Sequence, residues 1–406
     1  MRFPHSLRAL NHRDFRLFFC GQLISMVGTW MQSVAQAWLV LELTGSAFKL
    51  GIIGTLQFGP VLLFSFLAGA VADRVQKRRM IMATQSVLML QAFALALLCW
   101  SGHARFWHVA LLAAGYGLAN TLDMPVRQSF VVEMVDGKAD LPNAIAINSA
   151  MFNGARMIGP AVAGLVIARW GVATAFALNA LSFLAVIFAL AAMRSDGPPS
   201  LGEKGSIKDD MLAGLRYAQH TPEVLIVLCV IFCVSLFAIN HNVMVPLLAR
   251  VKLQQGAHGF GLMMSALGTG SVIGALIFAW WGRQPPLRLL FATAVFSSAL
   301  TAALGFVDQF APAMILLTLV GFFQILFMAS SNTMLQAEAP DHMRGRVLSL
   351  YTFVFAGVSP IGSFLMGTLA HSFGVSAAYV AGGAAALACV AALAWVWVRR
   401  TARIRA

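Results

Sequence analysis

Apolar residues arrive along this chain in long runs, and polar residues are largely confined to short stretches between them. Runs of about twenty residues, enough at 1.5 Å per residue to cross roughly 30 Å of hydrocarbon, cover 15–41, 48–72, 80–101, 106–124, 143–168 and 172–193. After a polar stretch, six more cover 223–248, 258–281, 287–306, 309–332, 346–370 and 375–398. A chain surrounded by lipid must satisfy its backbone polar groups internally, so the pattern predicts an all-α membrane protein with twelve transmembrane helices. The opening MRFPHSLRALNHRDF has neither the apolar core nor the small-residue cleavage site of a signal peptide, and the first run is read as a retained helix.

The polar stretch Arg194–Glu223 contains SDGPPSLGEKG followed by IKDDMLAGLRYAQH, close to the midpoint of the 406 residues. It reads as a linker. It separates an N-terminal six-helix bundle (1–193) from a C-terminal one (223–406), with 194–222 between them. Within it Ile207, Met211, Leu215 and Ala218 recur at helical spacing, with Asp209 and Asp210 near the start and Arg216 near the end. That spacing predicts a short amphipathic helix lying on the membrane surface. The halves also repeat each other: GLVIARWGVATAF (Gly164–Phe176) aligns with GTLAHSFGVSAAY (Gly367–Tyr379), and the same offset pairs Gly159 with Gly362. Duplicated six-helix units predict two pseudo-symmetric bundles, an arrangement that lets one bundle rock against the other around a shared site.

Composition excludes several functions. With 59% apolar and 11% charged residues the chain is not a soluble domain. The net charge of +13 comes from clusters between apolar runs, which is a topology signal and not a nucleic-acid surface. Placing both termini in the cytoplasm leaves only Lys49, Arg105, Arg169, Arg250 and Lys252 outside and Arg156 within a helix, out of 28 Lys and Arg. The expected location is therefore the cytoplasmic (inner) membrane, with multiple passes and both termini inside. The five cysteines all lie in apolar runs and read as packing residues; Cys229 and Cys233 share a helical face, but the residues around them are aliphatic or aromatic and no metal site is expected. There is no GxxxxGKS phosphate loop, no HExxH and no Ser/His/Asp grouping at one depth, so neither an enzyme nor a cofactor is expected.

Between the second and third runs the chain reads GAVADRVQKRR, Gly69 to Arg79. Gly69 permits close helix approach, and Asp73, Arg74, Lys77, Arg78 and Arg79 supply exposed ion pairs, each worth about 0–1 kcal/mol, weak enough to be made and broken during a conformational change. A cluster that merely obeys the positive-inside rule accounts for the same residues. The fourth run ends in TLDMPVRQSF, which sets Asp123 and Arg127 around Pro125 at the boundary, where Asp123 is within reach of Arg74 or Arg78, or stands as a solvated helix-end acid. In the fifth run Ala155, Gly159, Pro160, Ala163 and Gly164 form a kinked small-residue face. Gly270 and Gly274 in the eighth run form a matching face, and these two helices are expected to meet.

Gly-x-x-x-Asp-Arg followed by a basic cluster resembles the signature loop of the major facilitator superfamily. Gln76 stands where that pattern usually has glycine, and the second-half counterpart AWWGRQPPLR lacks the acid and keeps Arg283 and Arg288. The helix-five face resembles the antiporter motif of the superfamily's exporters, with Ala155 and Ala163 where glycine is common. Stretches such as LELTGSAFKLGIIGT, NAIAINSAMFNGARMIGPAVAGLV and RGRVLSLYTFVFAGVSPIGSFLMGTLA are similar to the branch that contains the enterobactin exporter and macrolide efflux proteins. The resemblance implies the major facilitator fold, a cytoplasmic gate at Gly69, Asp73, Arg74, Lys77 and Arg78, and export of siderophore-like metabolites or drugs.

Polar side chains inside membrane helices are functional candidates unless they serve as interhelical hydrogen bonds. Gln32, Gln36, Gln57, Asn120, Arg156, Asn179, Asn240, His241, Asn242 and Gln324 qualify. Many of them are expected to line a substrate cavity to which Arg156 and His241 give a mildly positive character. No Asp or Glu lies near the centre of a run; His241, an imidazole of the class that titrates near neutral pH, and Asp123 are the candidate proton carriers. The expected function is secondary active export by alternating access, coupled to protons as antiport. Its partners are a small-molecule substrate, H+ and the lipid bilayer, with no nucleic acid, and a monomer suffices. An importer and a non-transporting sensor or assembly partner are the alternatives.

Overall fold

The computed structural model describes residues 4–135, 140–195, 207–282 and 284–405. Among the described residues regular structure is entirely helical. A short 3-10 segment, His5–Asn11, precedes α1 (Arg13–Thr44), α2 (Ala47–Arg74), α3 (Lys77–Trp100), α4 (Phe106–Glu133), α5 (Leu141–Trp170) and α6 (Val172–Ala192). The linker carries α7 (Ile207–His220). There follow α8 (Pro222–Phe237), α9 (His241–Leu247), α10 (Ala257–Trp281), α11 (Leu287–Ala303), α12 (Phe310–Glu338), α13 (Asp341–Phe373) and α14 (Val375–Arg405).

Among the described residues, ten helical segments are long and apolar enough to cross a membrane, with α8, α9 and the turn after them counted as one span, Pro222–Lys252. The remaining two long helices, α1 and α4, have the length but carry Gln22, Gln32 and Gln36, and Asn120, Asp123 and Arg127, respectively. Together these make the twelve spans. Helix ends follow from local chemistry. Gly45 terminates α1 in the left-handed region at φ 59°, its N–H donating to the Leu41 carbonyl at 3.0 Å. The sharp turns after α5 and α13 rest on Gly171 (φ 83°, ψ 170°) and Gly374 (φ 87°, ψ 162°), a region essentially closed to other residues. These two glycines occupy corresponding places in the internal repeat, so the repeat extends to backbone conformation.

Two compact units divide the chain. The first comprises Met1–Gly45, Gly59–Glu203 and Ala257–Gly261, the second Ser46–Phe58, Lys204–Gly256 and Leu262–Ala406. In the first, α1 packs on α5 and α6, and α3 on α4 and α6; Phe15, Phe18, Ile81, Val126, Phe130 and Leu190 form a core near the N-terminal segment. In the second, α8 packs on α13 and α14, and α11 on α12 and α14, around Val227, Val230, Val234, Leu290, Phe327 and Val390. The amphipathic linker helix is present. Its Gly214 and Ala218 are buried, Gly214 against Arg346, while Leu212, Leu215 and Arg216 are exposed; the side chains of Ile207, Asp209, Asp210 and Met211 lie outside the described residues.

Glycines set the closest helix approaches. In the first unit a methyl group at Gly159 would lie 2.9 Å from the Val27 carbonyl oxygen, and one at Gly164 would lie 3.0 Å from that of Ala257 and 3.1 Å from the Gly261 Cα. In the second unit the repeat partners do the same: Gly362 abuts the Leu236 carbonyl and Asn240, and Gly367 abuts Ala47 and Gly51. The α10 segment that meets α5 is thus Ala257, His258 and Gly261. Gly270 and Gly274, expected on that contact, pack instead against Thr318 and Phe322 of α12. One helical face cannot serve both neighbours, and Gly261 points away from the pair Gly270 and Gly274.

Candidate functional site

In the first unit a polar chain crosses three helices. Gln32 on α1 donates to Gln91 on α3 at 2.8 Å and accepts from Asn179 on α6 at 2.6 Å. The Ser182 hydroxyl donates to the Asn179 side-chain oxygen at 3.1 Å. All four are buried, and Gly28 leaves the room they occupy, since a methyl there would strike both Ser182 and Asn179. Gln36 is buried one turn further along α1, whereas Asn120 on α4 is half-buried. Arg156 lies with its guanidinium 5.8 Å from the centre of the Trp30 ring, within cation–π range, and Trp30 meets Phe152 edge-on. Ala155, Gly159, Pro160, Ala163 and Gly164 are all buried on α5.

The same unit gathers charge at the end that carries the N-terminal segment. Asp123, 1% exposed, accepts from the Thr84 hydroxyl at 2.7 Å and the Gln85 amide at 2.9 Å, and pairs with Arg127 at 3.2 Å. Helix α4 continues through Pro125 to Glu133, so Asp123 is a buried, bonded acid and not a solvated one at a helix end. Lys77, expected to be mobile, is buried in an ion pair with Glu133. Arg78 donates to the Ala191 carbonyl at 2.9 Å. Gly69, Asp73 and Arg74 fall on the last turns of α2, where their surroundings lie outside the described residues, as does Arg283. Nearby, Asp140 receives Arg8 at 2.6 Å and His12 at 3.0 Å, fastening the N-terminal segment to the start of α5.

In the second unit the seventh span, expected to be continuous, is broken. Helix α8 ends at Phe237, and Asn240, with φ −113° and ψ 40°, caps α9. The Asn240 amide donates back to the Leu236 carbonyl at 2.8 Å, while its side-chain oxygen, packed at Gly362, has no hydrogen-bond partner among the described residues. His241 Nε2 and Gln324 Oε1 of α12 are 3.1 Å apart. Both residues are buried, and the Gln324 amide nitrogen also has no partner. Past α9 a π-helical turn, Leu248–Lys252, brings the Lys252 ammonium to the Gly305 carbonyl at 2.5 Å and to Asp308 at 3.3 Å. Gln57 sits half-buried on α2.

The fold therefore joins Asn240, His241 and Gln324 around one helix break and places Gln32 in a separate structural chain with Asn179. Gln85, Gln91, Thr84 and Ser182 escaped the sequence reading. Gln85 and Gln91 are polar residues inside an apolar run and met the criterion that selected the others; Thr84 and Ser182 carry no such signal. The break was foreshadowed by the consecutive polar residues Asn240, His241 and Asn242 just before Pro246.

Comparison with known proteins bears on what this arrangement serves. The profile of a family described as transmembrane secretion effector matches residues 5–404. The chain is 28% identical over 377 residues to the multidrug efflux pump Tap of Mycolicibacterium fortuitum, covering 90% of this chain and 91% of that one. It is 25% identical over 359 residues to the enterobactin exporter EntS of Escherichia coli O81, covering 88% and 85%. The crystal structure of the nucleoside transporter NupG superposes with a TM-score of 0.74 at 11% identity, over 95% of this chain and 99% of that one, a likeness of fold alone.

Proposed function

The chain belongs to the transmembrane secretion effector family of the major facilitator superfamily, whose members are secondary transporters and not enzymes, and from that premise we propose that it exports small organic molecules by alternating access in antiport with protons. The observation that carries the direction of transport is full-length similarity to an efflux pump and an exporter. The substrates are drugs or siderophore-like metabolites. The protein works as a monomer in the cytoplasmic membrane with both termini in the cytoplasm, an orientation supported by the distribution of Lys and Arg.

Within this reading the broken seventh span is the centre of the pathway. A discontinuous helix frees backbone groups and turns buried side chains toward a cavity, and Asn240 and Gln324 each retain an unpartnered polar atom there. Gln36, Gln57, Asn120 and Arg156 contribute further polar points, while Gln32 maintains packing. The loop of Gly69, Asp73, Arg74, Lys77 and Arg78, together with Asp123 and Arg127, gates the cytoplasmic side. His241 is the proposed proton carrier, supported by its burial beside an amide at the break.

The test begins with mass spectrometry of medium and cells from a deletion strain and its complemented parent, with and without iron limitation. A compound lost from the medium and retained in the deletion cells is the substrate. Everted membrane vesicles with an acid lumen should then accumulate it, and collapsing the pH gradient should abolish accumulation. Uptake into right-side-out vesicles only would reverse the assigned direction, and gradient-independent accumulation would exclude proton coupling.

A further inference from the structure

Helices α2, α3 and α4 line a groove of about 620 Å³ that meets the polar sites above only through Thr84. It lies wholly within the first unit. Its volume falls within the roughly 300–1,000 Å³ of small-molecule sites, yet its walls are hydrocarbon: Val71 of α2, Met80 and Val87 of α3 and Leu118 of α4 are among them. The two hydroxyls in the wall are turned inward, Thr84 to Asp123 and Thr121 to the Gly117 carbonyl. A ligand with polar groups would leave them unpaired in hydrocarbon, at a cost of several kcal/mol each. The groove is open at Gly115, where an added side-chain carbon would meet nothing within 4 Å.

Arg79, exposed on the first turn of α3, precedes the wall residue Ala83 by four positions and so shares its helical face at the groove's end. Of its basic neighbours, Lys77 is paired with Glu133 and Arg78 donates to the Ala191 carbonyl. An exposed guanidinium at the mouth of an all-apolar groove in a membrane-spanning unit complements one ligand shape, a hydrocarbon tail with an anionic head. We propose that this groove is a lipid site, holding an acyl chain of an anionic phospholipid whose phosphate is bound by Arg79. The site rests on the chain's spanning a bilayer and is independent of the direction or substrate of transport. Because Thr84 both lines the groove and donates to Asp123, the bound lipid lies one side chain away from the buried charge cluster.

The full chain, purified in mild detergent and titrated with phosphatidylglycerol or phosphatidylethanolamine, is followed by native mass spectrometry. The expected result is one tightly retained phosphatidylglycerol, preferred over phosphatidylethanolamine by about tenfold, the factor that 1.4 kcal/mol supplies. Arg79→Gln should bring that preference close to one. Gly115→Leu, which fills the open wall and favours the helix, should reduce retention of both lipids about tenfold; Val87→Trp, at a half-exposed wall position, is the second blocking variant, and melting curves verify that each folds. Retention unchanged in both blocking variants, or a phosphatidylglycerol preference insensitive to Arg79→Gln, overturns the proposal. So does loss of drug export in Gly115→Leu with lipid retention intact, which would make the groove a substrate entry path.

Discussion

At the scale of single residues, the buried polar groups of this membrane domain differ in whether their partners are charged or neutral. Asp123 receives Thr84 and Gln85 and pairs with Arg127, so its charge is spread over partners on two helices. Asp123→Ala should destabilise the detergent-solubilised protein by about 3 kcal/mol, because it strands a largely buried guanidinium, and Asp123→Asn should cost less because the acceptor for Thr84 remains; thermal unfolding measures both. His241 differs, since its ring nitrogen lies 3.1 Å from a neutral partner, the Gln324 amide oxygen, at the helix break. In His241→Gln an amide can still bond Gln324 but cannot titrate, so export driven by a pH gradient should be lost while substrate exchange without a gradient persists. Retention of gradient-driven export would exclude His241 as the carrier.

At the scale of elements, glycine decides where helices turn and how closely they pass. Gly171 and Gly374 hold the same strained backbone at corresponding positions of the repeat, so alanine at either should destabilise by about 1–3 kcal/mol. Alanine at Gly345, helical and with nothing within 4 Å of an added carbon, should stabilise by up to about 1 kcal/mol. Melting temperatures of the three variants check the contrast. The helices themselves were legible because lipid enforces long apolar runs, and eleven of the twelve expected runs correspond to single helices. The seventh was not, because hydropathy averages over about twenty residues and a three-residue interruption leaves the average apolar. The extension of α4 past Pro125 was also hidden: proline and charge read as a helix end, but Asp123 and Arg127 neutralise each other one turn apart on the same helix. Partner choice among glycine faces was beyond reach, since Gly270 and Gly261 share one helix and only the fold shows which neighbour each meets.

At the scale of the whole molecule, the internal repeat constrains how the protein can move. Gly164 of α5 packs on the first turn of α10 within one compact unit, and Gly367 of α13 packs on the first half of α2 within the other. Each compact unit thus contains a helix segment drawn from the opposite half of the sequence. The alternating access proposed above, if carried by relative motion of the sequence halves, must therefore part both glycine contacts in one of its two states, and contacts made by bare backbone are suited to that because no side chain has to be repacked. A side chain wedged into either contact should arrest the cycle. A side chain at Gly261 would strike the Pro160 carbonyl oxygen and lie 2.7 Å from the Gly164 Cα, so Gly261→Leu should be unable to close the contact and should lose export, whereas Gly345→Leu, with nothing within 4 Å of an added carbon, should keep it; melting curves verify that both fold. Export retained by a folded Gly261→Leu protein would show that this contact need not close during transport, and rocking of the sequence halves about it would be excluded.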